Sequence, residues 1–163
     1  MDFTVREMRD QDAGAFLEVH HAAVRGLAAK DYSSEIIELW ATLPISRDSI
    51  ERVIANPDDE VRFVAECENK IVGISCLVTA NNELRACYVA PEYARLGIGR
   101  ALISEVEAAA REFGLSCLQA DSSLTAEPFY RSLGYRVRKR GVHWLRKGVP
   151  MPCVKMEKLL TAI

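Results

Sequence analysis

The sequence predicts an α+β layered domain, a mixed sheet with helices packed on it. Three observations carry this. The first 60 residues place apolar side chains at helical spacing, broken by Asp, Ser and Pro. Residues 61–89 then change to β-rich runs joined by short polar turns. A long amphipathic helix follows, opened by two glycines.

Residues 3–8 read as a first strand. Asp10 or Asp12 is placed to cap a helix that carries Phe16, Leu17, His20, Ala23 and Val24 on one stripe. Ser33 and Ser34 open a second, short helix with Ile37 and Trp40, stopped by Pro44. Ser46 caps a third piece with Ile50, Val53 and Ile54, ended by Asn56-Pro57. Three strands follow, at 61–66, 71–79 and Glu83–Val89. Turns at Glu68-Asn69-Lys70 and Asn81-Asn82 fold them into an antiparallel meander. Ile98, Leu102, Ile103, Val106, Ala109, Ala110 and Phe113 make the stripe of the long helix, and Gly114 stands where the chain leaves it. Residues 115–120 form another strand. Thr125 caps a short helix over 126–133, with Gly134 beyond it, and strands at 135–145 and 152–159 close the order.

Composition narrows the function classes. The chain has 163 residues, 49% of them hydrophobic and 27% charged, which suits one globular domain over 1–163. Repeats, low-complexity tracts and Pro/Gly-rich linkers are absent from the sequence. A net charge of −2 gives no field for nucleic acid. The densest basic run, residues 136–140, alternates along a strand and reads as a solvated face. No apolar run approaches the roughly 20 residues that cross a bilayer, and the N-terminus lacks the form of a signal peptide, so no membrane partner is expected. Five cysteines, odd in number and without a CxxC pair, fit reduced thiols in a cytoplasm. Three scattered histidines have no ligand spacing, so no metal is expected.

The densest chemical signal is Tyr93-Ala-Arg-Leu-Gly-Ile-Gly-Arg-Ala-Leu102. A strand ends at Val89, Pro91 breaks the ladder, and the long helix starts near Ile98. Gly97 and Gly99 let the chain bend and let an anion approach the backbone. The first-turn N–H groups of a helix have no internal partner and sit at the positive end of its dipole. The amides of Arg95, Leu96, Gly97, Ile98, Gly99 and Arg100 can therefore cradle a pyrophosphate. A Walker A loop needs Gly-Lys-Ser/Thr, and Arg100-Ala101 follows Gly99 here. A dinucleotide fingerprint needs a third Gly or Ala at 102, which is Leu102.

Here the chain resembles the GNAT superfamily of N-acetyltransferases, whose acetyl-CoA motif Gln/Arg-x-x-Gly-x-Gly/Ala opens a long helix after a strand. Both glycines match, as does the lead-in Val89-Ala-Pro-Glu-Tyr93; the first motif position departs, being Ala94. The run from Ser123 through Ala126, Phe129, Tyr130 and Gly134 to Tyr135 is similar to the family's Asn-x-x-Ala-x-x-Phe-Tyr-x-x-Leu-Gly-Phe block, with Ser123 where Asn is frequent. Met156-Glu-Lys158-Leu-Leu resembles its last strand. The likeness covers about residues 61–160.

The resemblance implies a three-layer α/β/α domain with a mixed, mostly antiparallel sheet, splayed between Glu83–Val89 and the strand at 115–120 to admit acetyl-CoA. It implies backbone contacts from Cys87, Tyr88 and Val89 to the pantetheine arm, a further contact at Ser123, and direct attack of a primary amine on the thioester. Tyr130 matches the family's tyrosine; a phenol stays protonated near neutral pH and can protonate a leaving thiolate. Glu83 stands six residues before Val89, where some members carry the base. His20, His21 and Tyr32 are alternative bases, and His20, Tyr32 and Trp40 are candidates for the acceptor pocket. Cys87 has no activating His nearby in sequence and reads as a buried thiol. The rival reading is an acyl-CoA-binding sensor without turnover. The acceptor amine is not readable. Many relatives are dimers, so a homodimer stands beside the monomer.

Overall fold

The computed structural model describes residues 1–161; the last two residues of the domain expected over 1–163 lie outside them. Its centre is a seven-stranded sheet in the order β1-β2-β3-β4-β5-β7-β6. The strands are β1 (Thr4–Glu7), β2 (Val61–Cys67), β3 (Lys70–Val78), β4 (Glu83–Val89), β5 (Cys117–Ser123), β6 (Arg136–Trp144) and β7 (Pro150–Leu159). Every neighbouring pair is antiparallel except β4 and β5. The expected meander is β2-β3-β4, with positive φ at Glu68, Asn69 and Asn82 in its turns.

Helices cover both faces. On one lies α4 (Ile98–Glu112), whose Ile98, Leu102, Ile103, Val106, Ala109 and Ala110 are buried against Val72, Leu77, Leu84 and Leu118. The short α5 (Glu127–Ser132) adds Tyr130 to the same core. On the other face lie α1 (Ala13–Leu27), α2 (Ser34–Trp40) and α3 (Arg47–Ala55). There Phe16 and Val19 bury Val64, Ile74 and Cys76. Beside them Val24, Ala28, Tyr32, Ile37 and Ala41 close on Met151 of β7.

Two expected caps work differently. Asp12 does stand before α1, but its carboxylate turns back to Arg6, at 2.8 and 3.1 Å, and to the Arg9 N–H. A nearby guanidinium outcompetes a single amide for a carboxylate. Thr125 does not cap α5: its hydroxyl donates to Asp31, and Ser123 Oγ instead accepts the Ala126 N–H at 3.1 Å. Ser33 and Ser46 cap α2 and α3 as expected. The fifth strand begins two residues later than expected, at Cys117, because Gly114 and Leu115 are taken up in closing α4.

Candidate active site

β4 and β5 run parallel and touch at one pair, Glu83 with Gln119, supported by the Gln119 N–H on the Asn82 carbonyl at 2.7 Å. Beyond it the strands part, and the sheet opens toward Val89 and Ser123. On the β3 side, β4 stays paired from Glu83 to Val89. The Ala90 N–H bonds to Val72 of β3. Backbone direction alternates along a strand, so Cys87 and Val89 turn their N–H and C=O groups into the gap, while those of Tyr88 face β3.

At the open end of β4 the chain enters the glycine loop. Arg95 and Gly97 both have positive φ, 63° and 86°. Successive left- and right-handed residues point their amides to one side as an anion nest. Six consecutive N–H groups, Arg95 to Arg100, have no hydrogen-bond acceptor among the described residues; pairing resumes with Ala101 on the Gly97 carbonyl. Arg95, Leu96 and Arg100 are exposed there. Nothing lies within 4 Å of where a Gly97 side chain would begin. At Gly99, by contrast, a Cβ would stand 3.0 Å from the Phe129 ring. The second glycine thus lets α4 and α5 close on each other across the gap.

On the opposite face of the sheet is a cleft of about 680 Å³. It brings together Glu83, Cys87, Tyr88, Ser123 and Tyr130 with His20 of α1 and Trp40 of α2. Tyr130 is 6% exposed, and its hydroxyl makes no hydrogen bond among the described residues. Burial raises its pKa well above the ordinary phenol value. Cys87 is pushed up to about 12 by burial, so it is an inert thiol at neutral pH. Burial, with the charge of His21 beside it, pushes His20 down to about 4. His20 Nδ1 lies 3.2 Å from His21 Nδ1, and the two nitrogens of His21 face the Leu17 and Thr42 carbonyls at 2.8 and 3.0 Å.

Glu83 is not a lone carboxylate. Arg85 reaches it at 3.1 Å and also holds Asp58 at 2.6 Å and Glu60 at 3.0 Å. A β-bulge places both Arg85 and Ala86 opposite the single step from Leu77 to Cys76. Leu84 therefore packs beneath α4 while Arg85 and Ala86 both turn to the α1–α3 face. Tyr32 is also committed: its hydroxyl donates to the Pro152 carbonyl at 2.7 Å and accepts the Leu124 N–H at 2.8 Å. It packs edge-on to Trp40 and fixes that wall from behind.

Asp121, Met151 and Cys153, which the sequence does not single out, also line the cleft. Asp121 has a detectable signal, since it is two residues before Ser123 on the same strand face. Cys153 reaches the site through its pairing with Ser123 of β5, and Met151 through the packing of α1 and α2 on β7. Among the described residues no group of three or more His, Cys, Asp or Glu could hold a metal, and no helix is long and apolar enough to cross a membrane.

Known proteins share this frame. A spermidine N(1)-acetyltransferase of Thermoplasma acidophilum is 28% identical over 120 residues, 71% of this chain and 74% of its own. A GCN5-related N-acetyltransferase of Rhodopseudomonas palustris, also described as an aminotransferase, class-II, superposes with a TM-score of 0.88 at 26% identity, over 98% of this chain and 97% of that one. The PaiA N-acetyltransferase of Thermoplasma acidophilum, solved in complex with coenzyme A, has the same fold at a TM-score of 0.72 and 23% identity, covering 98% and 99% of the two chains. The model of the acetyltransferase (GNAT) domain matches residues 28–160. With its splayed sheet and glycine loop, this chain is an acyltransferase that belongs to the GNAT family.

Proposed function

We propose that the chain, as one domain over 1–163, is an acetyl-CoA-dependent N-acetyltransferase acting on a primary amine by direct attack. The observation that carries this is the run of six unpartnered amides at Arg95–Arg100, which lies beside a gap leading to the free hydroxyl of Tyr130. An anion nest at a helix N-terminus suits a pyrophosphate. The edge groups of Cys87 and Val89 suit the amides of a pantetheine arm, as an added strand would pair. Ser123, whose hydroxyl still has a proton to donate, flanks the arm from β5. Bound acetyl-CoA would supply an activated thioester at the gap.

The protein's own groups then have two tasks. Tyr130 gives its proton to the leaving sulfur; its raised pKa keeps that proton on the phenol until a thiolate forms. Glu83 receives the proton of the amine. It lies four residues from Cys87, about 13 Å along the strand, so the transfer runs through water. His20 and Trp40 wall the acceptor side, and Tyr32 supports Trp40. The five free cysteines, with the Cys76 and Cys87 thiols raised by burial, suit a reducing cytoplasm.

The test is Tyr130→Phe. Its kcat should fall by about 100-fold, while acetyl-CoA affinity measured by calorimetry stays the same. A wild-type kcat in this variant would remove Tyr130 from the chemistry. In the wild-type protein, tight acetyl-CoA binding without amine-dependent thiol release would instead identify a sensor.

A further inference from the structure

We infer that the acceptor is a monoamine carried on an apolar, ring-sized body, and that polyamines are poor substrates. This rests on the acetyltransferase reading above. The cleft extends from Tyr130 and Ser123 across β4 and β3 to Glu60 and Arg62 at the start of β2. Three strand spacings make it about 14 Å long. It therefore takes much more of the acceptor than its amine.

The inner half of the cleft is apolar. Tyr88, Trp40 and Met151 line it with His20. The rings stand edge-on to one another, with centroids 4.7 Å apart for His20 and Tyr88, 6.3 Å for Trp40 and Tyr88, and 6.4 Å for His20 and Trp40. Such a wall gains by covering a hydrocarbon or aromatic stem. His20 stays neutral at working pH, because protonating it would bury a charge there.

Among the described residues, the charged half offers a second ammonium no carboxylate that lacks an ion pair. Four carboxylates line the cleft, and each already bonds a cation, with Asp58 and Glu83 sharing one. Asp58 and Glu83 are held by Arg85 at 2.6 and 3.1 Å, Glu60 by Arg62 at 2.5 Å, and Asp121 by Lys155 at 2.6 Å. Among the described residues, the lining cation without an ion pair is Arg52, at the rim on α3. A polyamine would have to leave its outer charges beside Arg52 or break a pair already made. A monoamine on an apolar stem incurs neither cost.

The experiment measures acetyl-CoA-dependent thiol release with phenethylamine and with spermidine, on the wild type and on Trp40→Ala, Trp40→Phe and Arg52→Glu. Wild-type kcat/KM should be at least tenfold higher for phenethylamine. Trp40→Ala should erase most of that preference, and Trp40→Phe should restore it, which separates loss of the wall from loss of the fold. Arg52→Glu should shift the ratio at least threefold toward spermidine. A higher wild-type kcat/KM for spermidine, or a ratio that ignores all three variants, would overturn the inference and leave the acetyltransferase reading standing. Acetyl-CoA binding with no release for either amine, or for any other amine tested, would overturn both.

Discussion

Gly97 and Gly99 are two residues apart and answer to different constraints. Gly97 needs its backbone: φ is 86°, and open space surrounds it. Gly97→Ala should cost about 1 kcal/mol through left-handed strain alone. Gly97→Glu should abolish acetyl-CoA binding, because a carboxylate would face the phosphates; unchanged affinity by calorimetry would refute the nest. Gly99 needs its missing side chain, since Phe129 lies 3.0 Å from the Cβ position. Gly99→Ala should destabilise by about 1–3 kcal/mol in urea denaturation, as overpacking does. Adding Phe129→Leu should recover part of that loss, the coupling expected of residues in contact.

At the scale of elements, two part-buried ion pairs tie helices to the sheet. Glu107 of α4 is 8% exposed and accepts Lys158 of β7 at 2.7 and 2.9 Å and the Tyr135 hydroxyl at 3.2 Å. Glu107→Ala would strand a cation and a hydroxyl at the interface. A fully buried pair broken this way costs several kcal/mol. Lys158 keeps 24% of its side chain in solvent, so the expected loss is about 2 kcal/mol, checked by denaturant midpoint. At the other end, Arg6 holds Asp12 below the usual carboxylate range, its hydrogen bond outweighing the opposing effect of burial. A lowered folded-state pKa adds stability that is present above the unfolded value, about 3.9, and lost as pH falls further. Stability should therefore decline below about pH 4, and Asp12→Asn should flatten that slope while lowering stability at pH 7.

At the scale of the whole molecule, the sheet is two antiparallel halves joined along one seam. Only Glu83 and Gln119 pair across β4 and β5, so a ligand seated in the gap would restore the missing edge contacts of both halves. Coenzyme A at 100 times its Kd should raise unfolding free energy by about 2.7 kcal/mol. Hydrogen exchange should slow most at Cys87, Val89 and the loop amides from Arg95 to Arg100. Exchange unchanged at those amides would place the ligand elsewhere.

What depends on neighbours along the chain can be read from the residues alone. Helical and strand periods, the turn residues of the meander, the serine caps of α2 and α3, and the bend at Gly97 are local properties, and they located the loop and Tyr130. Tertiary structure decided which groups are already committed. Tyr32 finds its acceptor 120 residues away in Pro152, Arg85 reaches back 27 residues to Asp58, and Asp121 meets Lys155 across 34. The same holds for Asp12, which leaves its cap for Arg6 on another element. Charges and hydroxyls bind the strongest partner within reach, and reach is set by strand order and helix packing. The glycine loop is therefore legible in the sequence, whereas the pairing of each carboxylate in the cleft follows only from the fold.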